Sequence, residues 1–301
     1  MENTHPGLPT FDYILPRSLE EASQFLHNHP TDASPFLGGT DLFVRMRNKI
    51  SNDKYLVDIK NIHGMNELSY HPDIGLTIGA AVNMNRVISS PEIIKHYPVL
   101  AEACRSVGSY QLRTRATIVG NICNASPAGD TIGACLLLDS VLNTYRIGRR
   151  RKIPLIEFFT GPGETVLAKG EIVTSIEFPV PPNGIKGTYI KLGRNNLGDL
   201  AIVGVTAIGY PNNETSTSYQ IKLALASVAP TPIVVTAVNK FLSASPITEE
   251  QIAQAAIIAM EACNPIADIR STASYRKHMV KNLTKQALTN IWYGLRNANH
   301  Q

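Results

Sequence analysis

The chain is poor in the residues that staple proteins or hold metals. Its four cysteines, Cys104, Cys123, Cys135 and Cys263, show no C-x-x-C spacing and no pairing with histidine. Structural zinc and an iron–sulfur cluster on this chain are therefore excluded, and free thiols in a reducing compartment are expected. The eight histidines are scattered. Only His27 and His29 form an H-x-H, and on a helix that spacing splits them between faces, so no metal site is expected. No Ser/His/Asp set and no paired carboxylates stand out, and no side chain is assigned a catalytic role. No apolar run approaches the ~18 residues of a membrane span, and the N-terminus carries neither a signal nor a transit pattern. A cytoplasmic protein is expected. The net charge of +4, from 28 basic and 24 acidic residues, is too small and too dispersed for a nucleic-acid footprint. The one basic cluster, "RIGRRRKIP" at residues 146–154, sits between apolar runs around a glycine and reads as a solvated hairpin.

What is present is enough apolar residue, 44% of 301, for two or three compact units. "PRSLEEASQFLHNH" carries a capping box, Ser18 with Glu21, before the helical stripe Leu19, Ala22 and Leu26. "SPFLG" and "KYLVDIK" read as strands with a glycine turn and a helix between them, giving a small α/β unit over about residues 1–60. A larger α+β unit follows over residues 61–180, with a strand at 75–82, helices broken at Pro98, and short strands with turns from 140. The proline-rich "PVPPNG", residues 179–184, marks a boundary. Residues 181–301 read as a three-stranded antiparallel meander followed by helices, one of them capped by Thr248 and Gln251 and the last over residues 271–295.

Two loops carry the chemistry. In "PFLGGTDLFVRM", residues 35–46, adjacent glycines open a turn before a helix. The residues admit two readings: a tight strand-to-helix turn capped by Thr40 or Asp41, or a cradle of backbone N–H groups for an anion. The second is "TIVGNICNASPAGDTIGACLLLD", residues 117–139. It reads as a strand, a polar loop and an apolar helix, with Asp130 open to a role as helix cap or as ligand contact. "TGPGE" at 160–164 does not open a dinucleotide fingerprint, because Val166 stands at the third glycine.

These two loops together with "KLGRNNLGDLA", which starts at Lys191, resemble the ordered motifs of the FAD-binding medium subunit of the molybdenum hydroxylases, the xanthine dehydrogenase and carbon monoxide dehydrogenase family. The resemblance runs from about Phe11 to Leu295. It implies an FAD-binding domain over residues 1–180 and a C-terminal flavoprotein domain over 181–301. It further implies that Leu37, Gly38, Gly39, Thr40, Asp41 and Leu42 form the first FAD loop and Thr117, Ile118, Val119, Gly120 and Asn121 the second. Asp130 and Val173 would be FAD contacts, and Lys191 and Leu200 would flank the flavin ring, Lys191 as donor or positive charge. Val119 stands where the family usually has glycine, and its β-branched side chain predicts an extended peptide there.

The family's other parts are absent from this sequence, so the resemblance implies partners: a small subunit with [2Fe-2S] clusters and a large molybdopterin subunit, arranged as a dimer of heterotrimers. Substrate would be oxidised on the large subunit, and FAD here would pass the electrons to an external acceptor. Purine, other N-heterocycle, aldehyde and carbon monoxide remain open as substrates, as does the acceptor. Two other functions compete: a stand-alone flavin oxidoreductase, and a non-catalytic nucleotide-binding module using the same loops.

Overall fold

The structure, a computed structural model, describes residues 7–195, 198–244 and 246–298. Asn196 and Leu197 of the third motif and Ser245 ahead of the Thr248 helix lie outside the described residues.

The first unit contains β1 (Asp12–Ile14), α1 (Leu19–Asn28), β2 (Ala33–Phe36), α2 (Leu42–Arg47) and β3 (Tyr55–Asp58). The strands form a parallel sheet in the order β1-β3-β2. The capping box starts α1: Ser18 accepts from the Glu21 N–H, and Glu21 reaches back to the Arg17 N–H. A small core of Phe36, Met46 and Leu56 holds this unit together.

A five-stranded antiparallel sheet organises the second unit. Its strands are β4 (Leu68–His71), β5 (Gly75–Gly79), β6 (Val141–Arg146), β7 (Arg149–Pro154) and β10 (Ile172–Phe178), in the order β4-β5-β10-β6-β7. β8 (Phe159–Gly161) and β9 (Glu164–Thr165) make a separate ribbon. The basic cluster is the β6–β7 hairpin, turned at Ile147 and Gly148 with positive φ at both. Between β5 and β6 lie α3 (Met84–Ser89), α4 (Pro91–His96), α5 (Pro98–Arg105), α6 (Tyr110–Arg113), α7 (Ile118–Cys123) and α8 (Ile132–Leu137). Prolines open both α4 and α5, where a missing N–H costs nothing.

The last unit has β11 (Lys186–Leu192), β12 (Val203–Pro211), β13 (Tyr219–Ala226) and β14 (Ile233–Val234) in sequential antiparallel order. The predicted meander thus gains a fourth, two-residue strand. α9 (Thr236–Ala244), α10 (Glu249–Glu261) and α11 (Ala273–Ala298) follow, of which α9 was not anticipated. The Thr248 hydroxyl accepts from the Gln251 N–H as predicted.

β12 is buried along nearly its whole length, since α8 packs against β12 and β13 while α11 also lies on β12. That two-sided burial is why it reads as a continuous apolar run. Every residue of α8 is buried, and a Cβ at Gly133 would come within 2.3 Å of the Thr206 hydroxyl. The helix therefore joins the second unit to the third at a distance only glycine permits.

Candidate functional site

Two loops meet because a glycine lets them. An added Cβ at Gly38 would stand 2.2 Å from the Arg115 carbonyl oxygen, so only a residue without one brings the 37–42 loop against the segment entering α7. Gly39 has φ +71°, and its Cβ would lie 2.6 Å from the Phe36 ring. Both glycines are thus required by protein neighbours. The crowding at these two positions therefore comes from the protein itself.

The reading of residues 117–119 as a strand is corrected. Extended backbone ends at Thr117, which pairs with Asn83 in an isolated bridge. Its hydroxyl then accepts from the Gly120 N–H at 2.9 Å and starts α7. Ile118, Val119 and Ile122 form the buried face of that short helix, and tertiary burial overrides the β propensity of Thr-Ile-Val. Val119 is accordingly helical, and the extended peptide expected there is not found.

The N–H groups of Gly39, Thr40, Asp41 and Leu42 in the first loop have no hydrogen-bond partner among the described residues. The same holds for Val119 near the start of α7, whereas the Ile118 N–H is turned toward the strand-like segment that bridges Asn83 with Thr117, and those of Gly120 and Asn121 are taken up by Thr117. Asn121 is fixed in turn, its side-chain oxygen accepting from the Thr131 hydroxyl at 2.8 Å.

Both loops open onto one cleft of about 480 Å³, within the range of small-molecule and cofactor sites. Of the residues singled out in the sequence, Leu37, Gly38, Gly39, Thr40, Asp41, Leu42, Thr117, Val119, Gly120, Asn121, Asp130, Val173 and Leu200 line it, whereas Ile118 and Lys191 do not. Ile118 is turned into the core. Lys191 donates to the Asp130 carboxylate at 2.8 Å and the Ser106 carbonyl at 3.2 Å. Tyr189 donates to the other Asp130 oxygen at 2.6 Å. Asp130 is therefore neither a helix cap nor a free carboxylate; α8 has Thr131 as its N-cap. Burial pushes the Asp130 carboxyl upward, against the pull of Lys191 and Tyr189. The arrangement ties β11 to the cleft wall and leaves Lys191 spent on that tie.

Sequence reasoning missed the opposite wall. Residues 167–172 line the cleft together with Ser34, Arg45 and Cys123. Gly170, at φ +77°, brings this wall against α1, where a Cβ would meet the Ser23 carbonyl at 2.8 Å; Ser23 donates to the Gly170 carbonyl at 2.7 Å. The "KGE" turn ahead of Val173 was the available signal. Glu171 is held by Arg151 at 2.6 and 2.7 Å and by the Thr144 hydroxyl. Although burial raises its pKa, Arg151, Thr144 and the Ala168 N–H outweigh that and hold the carboxyl below its usual value. No group of His, Cys, Asp and Glu suited to a metal ion occurs among the described residues. No described helix is long and apolar enough to cross a membrane.

Residues 9–181 match the FAD binding domain in molybdopterin dehydrogenase, and residues 188–291 the CO dehydrogenase flavoprotein C-terminal domain. The carbon monoxide dehydrogenase medium chain of Hydrogenophaga pseudoflava is 30% identical over 94% of this chain and 98% of its own length. The glyceraldehyde dehydrogenase medium chain of Sulfolobus acidocaldarius is 30% identical over 94% and 99%. Among solved structures, a chain of the H. pseudoflava carbon monoxide dehydrogenase lacking the Mo-pyranopterin moiety superposes with a TM-score of 0.90, at 30% identity, over 95% of this chain and 99% of that one. With both domain types in order and relatives matched over nearly their full length, the chain belongs to the FAD-binding medium subunits of the molybdenum hydroxylase family, the oxidoreductase family of carbon monoxide and xanthine dehydrogenases.

Proposed function

We propose that the chain is the FAD-carrying electron-transfer subunit of a heteromeric molybdenum hydroxylase, taking electrons from the [2Fe-2S] clusters of a small partner subunit and passing them to an external acceptor. A large molybdopterin subunit would hold the substrate, and the assembly would be a cytoplasmic dimer of heterotrimers. Residues 1–180 and 181–301 would act as its FAD-binding and C-terminal domains.

The observation that carries this reading is the set of unpartnered N–H groups on two loops around one cleft. Such groups suit a diphosphate, since a hydrogen bond to a charged partner contributes about 1.5–3 kcal/mol. Gly39, Thr40, Asp41, Leu42 and Val119 would hold it, and Thr117 and Asn121 would keep α7 in place beneath it, with Ile118 anchoring the helix in the core. Leu37, Gly38 and Gly120 would shape the loops. Val173 would line the wall further along, with Leu200 beside the flavin ring. Asp130, braced by Tyr189 and Lys191, would present a fixed carboxylate wall, so the role of Lys191 is to position Asp130. FAD, when bound, supplies the electron chemistry; the chain supplies orientation and charge.

The purified chain is expected to bind one FAD and accept electrons from a chemical reductant, yet to oxidise no purine, aldehyde or carbon monoxide until both partners are added. Substrate oxidation by this chain alone would overturn the subunit reading in favour of a stand-alone flavin enzyme.

A further inference from the structure

Behind the first loop stands a charged aromatic stack whose side chains do not line the cleft. Its middle member is Phe36. A Cβ on Gly39 would lie 2.6 Å from the Phe36 ring and 3.2 Å from that of Phe43, and the two rings meet with centroids 5.3 Å apart. The ring edge therefore supports the left-handed turn at Gly39, where the run of unpartnered N–H groups through Leu42 begins. Tyr13 meets Phe36 edge-on at 5.8 Å. The Lys60 ammonium lies 4.1 Å from the Phe36 centroid, well within the distance at which a cation is held by a ring face.

Lys60 is itself fixed. Its ammonium pairs with the Asp58 carboxylate at 2.7 Å and donates to the Tyr13 hydroxyl at 3.3 Å. Asp58 is buried, and it also accepts from the Lys60 backbone N–H at 2.9 Å and from the Tyr13 hydroxyl. Burial raises the Asp58 carboxyl, but Lys60 and Tyr13 outweigh that and hold it below its usual value, so the carboxylate stays charged and keeps its cation. The parallel register sets Phe36 opposite Asp58, which brings ring and ion pair together wherever β2 and β3 pair. One chain of contacts thus runs from Asp58 through Lys60 and Phe36 to the backbone of Gly39.

We propose that Lys60 is a positioning residue of the first loop: through the Phe36 ring it sets the Gly39 turn, and with it the aim of the N–H groups offered to a diphosphate. The proposal rests on the cofactor reading above and deepens it. An ion pair that merely closed the β1-β3-β2 sheet would contribute to stability and leave ligand affinity alone. A positioning role predicts that affinity falls when the cation is lost, that another cation restores it, and that the effect vanishes without the ring.

The test measures FAD affinity of the purified chain by calorimetry, with thermal melting alongside. Lys60→Met keeps the length of the side chain and removes its charge, and it should weaken binding about fivefold. Lys60→Arg returns a cation to the ring and should bind within about twofold of wild type. In a Phe36→Leu background, Lys60→Met should change affinity by less than about twofold, since the residue it acts through is gone. Lys60→Met leaves the buried Asp58 without its cation, so Asp58→Asn combined with Lys60→Met supplies a neutral pair and should show the same loss of affinity. Unchanged FAD affinity in Lys60→Met, even with a lowered melting temperature, would overturn the proposal. So would a loss as large without Phe36 as with it, or a Lys60→Arg variant that binds no better than Lys60→Met. A wild-type chain that takes up no FAD would instead overturn the cofactor reading on which the proposal rests.

Discussion

The two glycine-bearing loops that line the cleft are built on different physics. In the 37–42 loop the glycines are forced by neighbours: a backbone carbonyl at Gly38, and a left-handed φ and an aromatic ring at Gly39. In the second loop the work falls to a threonine cap, and a valine fully buried in the core stands where the motif resemblance implies glycine. The difference teaches that a glycine in such a motif can serve protein-to-protein approach, leaving the N–H groups as the part that, in the proposed function, would meet the ligand. It also explains how the second loop tolerates Val119. In a helical turn the side chain points into the core and the N–H remains free, so a branched residue obstructs nothing.

The largest expected effect tests the first half of that contrast. Gly38→Val would drive its Cβ into the Arg115 carbonyl and separate the two loops, at a cost of about 3 kcal/mol. The variant should purify without FAD and melt at a lower temperature; flavin retained at wild-type affinity would show that the loops do not need this contact. Next comes Val119→Gly, the change towards the family pattern. Loss of a buried side chain and of helix propensity should cost about 2–3 kcal/mol. Because the N–H is already available, FAD affinity should stay within about threefold of wild type, a shift under ~1 kcal/mol. Markedly tighter FAD binding in calorimetry would mean that Val119 does obstruct the ligand.

Gly39→Ala should be milder, about 1–2 kcal/mol for a non-glycine at positive φ. Phe36→Leu in the same chain should recover part of the loss, which a clash with bound cofactor would not allow. Glu171→Gln leaves both loops in place and should show itself through pH. The native carboxyl titrates below its usual value of 4.5, so its stabilisation is fully present above that value and is lost as pH falls through the lowered native one. The difference in melting temperature between wild type and variant should narrow steadily in acid; a gap that widens there would contradict the Arg151–Glu171 assignment.

The loops, their place at the front of the chain and the order of the motifs were legible because glycine and asparagine in fixed sequence leave few alternatives. The helical state of α7 was not, since Thr117, Ile118 and Val119 carry strand propensity and only the burial of Ile118, Val119 and Ile122 reverses it. Nor was the fate of Lys191. Its partner Asp130 lies 61 residues away, and no local pattern announces a contact made by β11 folding back on the cleft. Residues 167–172 went unread for a similar reason, as their part in the cleft follows from the packing of Gly170 on α1.

The central claim is that free N–H groups on both loops receive a diphosphate. It is tested most directly by following backbone amide resonances of the isotope-labelled apo chain during titration with ADP, with adenosine as the control. The account predicts that the amides of Gly39, Thr40, Asp41, Leu42 and Val119 shift with ADP and far less with adenosine, while those of Gly120 and Asn121, already bonded to Thr117, move little. Equal responses to the two ligands, or shifts confined to residues outside these loops, would contradict it.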